Sequence, residues 1–256
     1  MKTVILAGGL GTRMGIETKT KPKPMVEIGS RPILWHIMRG YAHHGYNDFV
    51  ITLGYKGDEV KRFWSEEAEL MGDMTVYLGQ GFVRRHEPEA RPDWTVRLID
   101  TGFATDTGGR IKRVAHLLDD VFMMTFGDGV SNVDVSALVD FHRAHGKLAT
   151  LTAVRPPARF GHLNLDEAQV TDFEEKPATG EGWINGGFFV LDRRVLDYID
   201  GDDTHFQKEP LSRLAKDGEL MAYRHDGFWQ CMDNLRDREL LERLWAAGDA
   251  PWKTWG

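Results

Sequence analysis

Short unbroken apolar runs alternate along this chain with longer stretches in which apolar residues recur every three or four positions. Residues 2–7 (KTVILA) are rich in β-branched residues and stop at two glycines, which predicts a strand covered on both faces. Residues 32–41 read as a helix with Pro32 in its first turn, where a missing N–H leaves no bond unmade. Residues 48–53 read as a second strand. The rhythm then repeats: a strand at 121–126, a helix at 135–145 with Asp134 as N-cap, and a strand at 148–154. Such alternation predicts an α/β fold, a Rossmann-like, doubly wound, mostly parallel sheet with helices on both faces. Its ligands are expected beyond the carboxyl ends of the strands. No repeat, low-complexity tract or Ser/Gly linker interrupts the pattern, so residues 1–256 are expected to form one domain.

Composition narrows the class. With 41% apolar residues the chain can bury a sizeable core. It holds no run of about eighteen apolar residues to span a bilayer, and its first residues lack the long apolar stretch of a signal peptide. A cytoplasmic location without membrane association is therefore expected. The single cysteine, Cys231, excludes an internal disulfide and any cysteine-cluster metal site. A net charge of −7 argues against a nucleic-acid partner, while leaving room for a basic pocket that takes a phosphorylated small molecule. His142 and His145 lie three apart on a predicted helix without an HExxH pattern, and read as packing or surface residues rather than zinc ligands.

The chemistry-bearing residues gather after predicted strands. The segment Leu6-Ala7-Gly8-Gly9-Leu10-Gly11-Thr12-Arg13 follows the first. Its glycines let the backbone approach a phosphate closely, and Thr12 and Arg13 add a hydroxyl and a planar charged fork. It is not a dinucleotide fingerprint, because Met14 stands where the third glycine belongs, and it lacks the Gly-Lys-Ser/Thr ending of a P-loop. The missing glycine weighs against a nicotinamide-dependent oxidoreductase. Next comes Lys19-Thr20-Lys21-Pro22-Lys23-Pro24-Met25, where prolines hold Lys23 with little freedom, either over the same phosphates or in a solvated basic loop. Gly127-Asp128-Gly129 closes the strand at 121–126. Its carboxylate suits Mg²⁺, which binds one or two protein carboxylates plus substrate phosphates, and equally suits a plain turn. Asp233, on its own, reads as the N-cap of a helix near 235–245. Arg110, after Gly108 and Gly109 at a predicted helix start, is a candidate for the nucleotide side.

A strand followed by LAGGxGTR and then KPKPM closely resembles the start of the sugar nucleotidyltransferases, or nucleoside-diphosphate-sugar pyrophosphorylases. The likeness runs nearly the whole chain and is strongest to the glucose-1-phosphate cytidylyltransferases. It is carried by Pro32-Ile33-Leu34-Trp35-His36, Gly54-Tyr55-Lys56-Gly57, Asp100-Thr101-Gly102, Thr107-Gly108-Gly109-Arg110 and the ending Ala250-Pro251-Trp252-Lys253-Thr254-Trp255. The resemblance implies the nucleotide-diphospho-sugar transferase fold with small β additions, CTP and glucose 1-phosphate as substrates, Mg²⁺ as cofactor and a homo-oligomer. It also implies that Asp233 faces Asp128 as the second magnesium carboxylate, reversing the N-cap preference. In Glu174-Glu175-Lys176-Pro177 it gives Lys176 to the sugar phosphate and Glu175 to sugar hydroxyls, with Asn185 and Gly186 of the following Asn-Gly-Gly on the same side.

The implied reaction is in-line attack of a sugar-phosphate oxygen on the α-phosphorus of the nucleotide, with pyrophosphate leaving opposite. The backbone from Gly8 to Arg13 and the Arg13 side chain are expected to hold the triphosphate, with Leu6 and Ala7 also on the nucleotide side; Lys23 is expected to stabilise developing charge and Lys176 to fix the attacking phosphate. Base reading is expected from backbone groups between Thr105 and Gly109. UTP, dTTP or GTP in place of CTP, or a non-catalytic sugar-nucleotide sensor on the same fold, are the alternatives. The irregular stretch 79–94 is expected to be a lid or a subunit contact.

Overall fold

Period-two alternation builds the central sheet, and both sets of alternate residues are buried. The computed structural model describes residues 1–15, 17–86, 91–156, 162–166, 169–174 and 182–256, with the backbone alone at 13, 162–166, 170 and 172–174. Seven strands form the sheet: β1 (Thr3–Leu6), β2 (Asp48–Leu53), β3 (Thr95–Asp100), β4 (Val121–Phe126), β5 (Ala149–Val154), β6 (Ile184–Asp192) and β7 (Leu220–His225). Their order is β7-β5-β6-β4-β1-β2-β3. β6 runs antiparallel to both neighbours, while β1 pairs in parallel with β2 and β4, β2 with β3, and β5 with β7. The doubly wound, mostly parallel sheet read from the sequence is the one the chain forms.

Ile5, Phe49, Ile51, Met123, Phe188 and Val190 point to one face. Val4, Leu6, Val50, Phe122, Met124, Phe189 and Leu191 point to the other. The first face is covered by α1 (Ile33–His43), α2 (Gly57–Leu70), α4 (Val135–His145) and α6 (Leu235–Ala246), which supply Leu34, Ile37, Val60, Leu138 and Leu241. The second is covered by α3 (Thr107–Arg113) and α5 (Glu209–Lys216) through Ile111, Leu211 and Leu214. Asp134 caps α4 as expected, its carboxylate accepting from Ala137 N at 2.9 Å. Pro32 stands just outside its helix: with ψ at 149° it ends a two-residue strand, and α1 starts at Ile33.

The tail tryptophans are core residues, Trp252 at 1% and Trp255 at 7% exposure. They close over His36, which Trp252 Nε1 approaches at 3.4 Å. His142 and His145 both bond the Thr150 hydroxyl, at 2.9 and 2.7 Å, which is a packing role. From the stretch 79–94, Phe82–Arg85 folds back antiparallel on the preceding Met74–Tyr77 as a hairpin, with Tyr77 stacked on Phe82. Among the described residues no helix is long and apolar enough to cross a membrane.

Candidate active site

The chain leaves β1 toward β2 and β3 on one side, whereas β4 lies on the other, so the strand order reverses between β1 and β4. A doubly wound sheet opens its ligand crevice at such a point, outside the carboxyl ends of the strands. Gly8 follows β1 and Asp128 follows β4. The two ends are tied by Gly127 N donating to Leu6 O at 3.0 Å. Gly127 has no room for a side chain, because a Cβ there would stand 2.9 Å from Pro24 Cγ and 3.0 Å from Leu6 O.

After β1 the loop turns through Gly11, whose φ of +59° favours glycine, into a single 3-10 turn, Thr12–Met14. Among the described residues the amides of Gly9, Leu10 and Gly11 have no acceptor, which leaves donors for an anion. A Cβ on Gly11 would meet Lys23 Cβ at 2.9 Å, so the loop lies directly on the proline-held lysine. Lys21 turns outward to Glu27, while Lys23 is only 8% exposed and points inward. The side chain of Arg13 falls outside the described residues.

Lys23 Nζ lies 2.7 Å from both Asp128 Oδ2 and Asp233 Oδ1, although the two aspartates are 105 positions apart in sequence. A small ladder joins them. Trp229–Cys231 pairs antiparallel with Gly129–Ser131, and Met232 N donates to Asp128 O at 2.8 Å. The cap of α6 is Asn234, one residue past the position the sequence suggested: it accepts from Arg236 N and Asp237 N and completes a capping box with Asp237. Burial works to lower the Lys23 pKa, but the Asp128 and Asp233 carboxylates outweigh it, so the net shift is upward and the ammonium is firmly charged. Burial, reinforced by the same carboxylates, pushes the Cys231 thiol up to about 12, which removes it as a nucleophile at neutral pH. Two carboxylates on one cation form a hard-oxygen donor set that suits a divalent ion completing its shell from phosphates and water.

Two clefts meet at this pair. One, of about 370 Å³, is walled by Leu6, Ala7, Gly8, Gly9, Gly11, Thr12, Lys23, Thr105 and Arg110. The other, of about 250 Å³, is walled by Asn185, Gly186, Gln207, Trp229 and Cys231. Phe126, Asp128 and Asp233 line both. Asn185 Oδ1 accepts from Gly187 N at 2.9 Å, and Gly186 takes Trp229 Nε1 on its carbonyl at 2.7 Å. Gly109 stands off the cleft wall, its Cβ position 2.5 Å from Asp202 O. Arg110 lines the first cleft, yet its guanidinium is spent on carbonyls and a hydroxyl of the chain. Glu175 and Lys176 lie outside the described residues. Gln207 and Trp229 were not singled out as substrate-side residues from sequence. Gln207 sits in a loop without a motif, and Trp229 in a strand of only three residues, too short to leave a pattern.

A family model described as nucleotidyl transferase matches residues 2–236. The glucose-1-phosphate cytidylyltransferase of Salmonella typhi is 54% identical over 257 residues, covering 100% of both chains. The probable glucose-1-phosphate cytidylyltransferase of Bacillus subtilis (strain 168) is 40% identical over 258 residues, again covering 100% of both. A solved UDP-glucose pyrophosphorylase in complex with UDP-glucose superposes with a TM-score of 0.67 at 13% identity, over 96% of this chain and 98% of that one. It shares the nucleotide-diphospho-sugar transferase fold.

Proposed function

This chain belongs to the nucleotidyl transferase family, and from that premise we propose that it joins CTP to α-D-glucose 1-phosphate, releasing pyrophosphate and CDP-glucose. The observation that carries the reaction type is the meeting of two clefts at Asp128, Asp233 and Lys23. A transferase of two anions needs one cleft for each and concentrated charge where they touch. The choice of CTP and glucose 1-phosphate is supported by the full-length likeness to the Salmonella typhi and Bacillus subtilis proteins.

In this reading the triphosphate lies along the amides of residues 8–12, which donate to its oxygens without reorganising. Thr105, 7% exposed on the cleft wall, belongs to the stretch that meets the base. The sugar phosphate lies against Asn185 and Gly186, and Lys176 is assigned to its phosphate on the family pattern. One of its oxygens forms a bond to the α-phosphorus while the bond from α-phosphorus to the bridging oxygen breaks and pyrophosphate departs with the electron pair. No side chain is nucleotidylated, so positioning and charge carry the acceleration. Asp128 and Asp233 would hold Mg²⁺, which when bound neutralises phosphate charge. Lys23, which lines the triphosphate cleft beside both carboxylates, would supply positive charge to the phosphates.

The same reading carries a cytoplasmic location and a homo-oligomer. The hairpin that exposes Val76, Leu78, Phe82 and Val83 supports a subunit contact, which size-exclusion chromatography with light scattering tests against a monomer. The reaction is tested by incubating purified protein with CTP and Mg²⁺. Pyrophosphate is expected only when glucose 1-phosphate is added; release without it, or none with it, overturns the proposal.

A further inference from the structure

Arg110 sits in the first turn of α3 and is 4% exposed. Its Nη1 donates to Leu53 O at 2.8 Å, Thr101 Oγ1 at 2.8 Å and Gly102 O at 2.9 Å. Its Nη2 donates to Gly8 O at 3.1 Å and Phe103 O at 3.4 Å. These acceptors stand at the carboxyl ends of three neighbouring strands: Gly8 after β1, Leu53 at the end of β2, and Thr101, Gly102 and Phe103 after β3. Among the described residues it forms no ion pair: dipoles meet the buried charge at hydrogen-bond distance, the Asp106 and Asp100 carboxylates act only from farther off, and the side chain lines the nucleotide cleft.

Two glycines are shaped around this guanidinium. A Cβ on Gly8 would stand 2.2 Å from Arg110 Nη1 and 2.3 Å from its Cζ. A Cβ on Gly54 would stand 2.6 Å from Nη1 and 2.7 Å from Gly8 O. The first glycine of the phosphate loop therefore makes room for an arginine of the same protein. Gly54, which does not line the cleft, serves the same slot from the next strand.

We propose that Arg110 is a positioning residue that locks the loops after β1, β2 and β3 in register, so that the amides of residues 8–12 meet the triphosphate already placed. This rests on the nucleotidyl-transfer reading of the cleft. Lysine cannot substitute, because one ammonium nitrogen does not span acceptors that the two terminal nitrogens of a planar fork reach together, Nη1 sharing its two N–H groups among three of them. Displacing a reacting group by about 1 Å costs on the order of 10²-fold in rate, which sets the scale expected if the loop relaxes.

The test uses R110A, R110K and G54A in the full chain, with steady-state KM for CTP and for glucose 1-phosphate and, separately, CTP affinity by calorimetry with Mg²⁺. KM and Kd for CTP are expected to rise, and kcat/KM for CTP to fall on the order of 10²-fold, in R110A and nearly as far in R110K. G54A is expected to follow in the same direction. KM for glucose 1-phosphate stays at the wild-type value, a split that general destabilisation does not produce. Methylguanidinium is expected to restore CTP affinity to R110A and not to R110K, whose side chain still fills the slot. If R110A does not fold, R110K and G54A decide the matter alone. Wild-type CTP affinity in R110K or G54A overturns the positioning role, as does an equal rise in both KM values. Absence of wild-type turnover would instead remove the functional reading, and the calorimetric comparison would still judge the loop.

Discussion

His36 gives this fold a pH dependence whose size follows from its surroundings. The side chain is 1% exposed and ringed by Trp35, Trp245, Trp252 and Trp255. Its Nε2 donates to Ile28 O at 2.9 Å, and Trp252 Nε1 donates toward Nδ1, so both nitrogens are engaged with the ring neutral. Burial lowers its pKa from 6.5 to about 4, against a smaller opposing effect of the Ile28 and Arg31 carbonyls. Because the folded pKa is depressed, the unfolded chain takes up the proton first as the medium acidifies. The stability contribution is complete above pH 6.5, drains away between 6.5 and 4, and is gone below. Integrating the linkage relation between pH 7.5 and pH 5 gives a loss of about 2 kcal/mol for this one residue. His142, also lowered to about 4 by burial and by His145, adds a loss of the same sign. The perturbation is His36→Gln, which keeps a donor for Ile28 O but cannot titrate. Urea unfolding of both proteins at pH 7.5 and 5.0 separates His36 from every other ionising group, since those cancel in the difference. The variant is expected to lose about 2 kcal/mol less than the wild type over that interval, whatever its starting stability. An equal loss in both proteins would refute a neutral, buried His36.

Asp128→Asn keeps the shape of the site and removes one carboxylate charge; turnover at saturating substrates should fall on the order of 10²-fold or more with an unchanged circular dichroism spectrum, and normal turnover contradicts the assignment. Lys23→Met takes away the ammonium shared by Asp128 and Asp233. The variant should lose turnover, and added Mg²⁺ should raise its melting temperature more than that of the wild type, because ion and ammonium compete for the same oxygens. An equal Mg²⁺ response in both would break that link. Asn234→Ala removes the cap of α6 and should cost about 1 kcal/mol in chemical denaturation. Its capping box also fixes the backbone beside Asp233 through Asp237, so kcat should fall as well, and a purely thermodynamic effect would show that Asp233 is held without it.

The parts of the fold that were readable from sequence are those written in local periodicity. The run at 121–126 and the helix at 135–145 carry their burial pattern within a few residues, and Asp134 announces its own cap. The glycine-rich turn after β1 was equally plain, since glycines that close a buried strand mark a tight turn, and Gly11 makes it at a φ of +59°. The companionship of Asp128 and Asp233 was not written locally. It depends on a three-residue ladder between Trp229–Cys231 and Gly129–Ser131, too short to leave a pattern, and it entered only through the family resemblance. Asp233 looked like a cap because Asn234 beside it is the better one, and two adjacent capping residues cannot be told apart without the helix start. Arg110 was read toward the nucleotide because an arginine at a helix N-terminus beside glycines suggests an anion. Its acceptors come from three separate strand ends, a geometry that no spacing in the sequence expresses.

The central claim is the pairing of this site with CTP and glucose 1-phosphate. Purified protein, Mg²⁺ and glucose 1-phosphate with an equimolar mixture of CTP, UTP, dTTP, GTP and ATP, followed by chromatographic resolution of the nucleotide sugars, tests it most directly. CDP-glucose as the dominant product, formed in step with pyrophosphate, is the predicted result. Dominance of another nucleoside diphosphate glucose, or no sugar nucleotide at all, would contradict it.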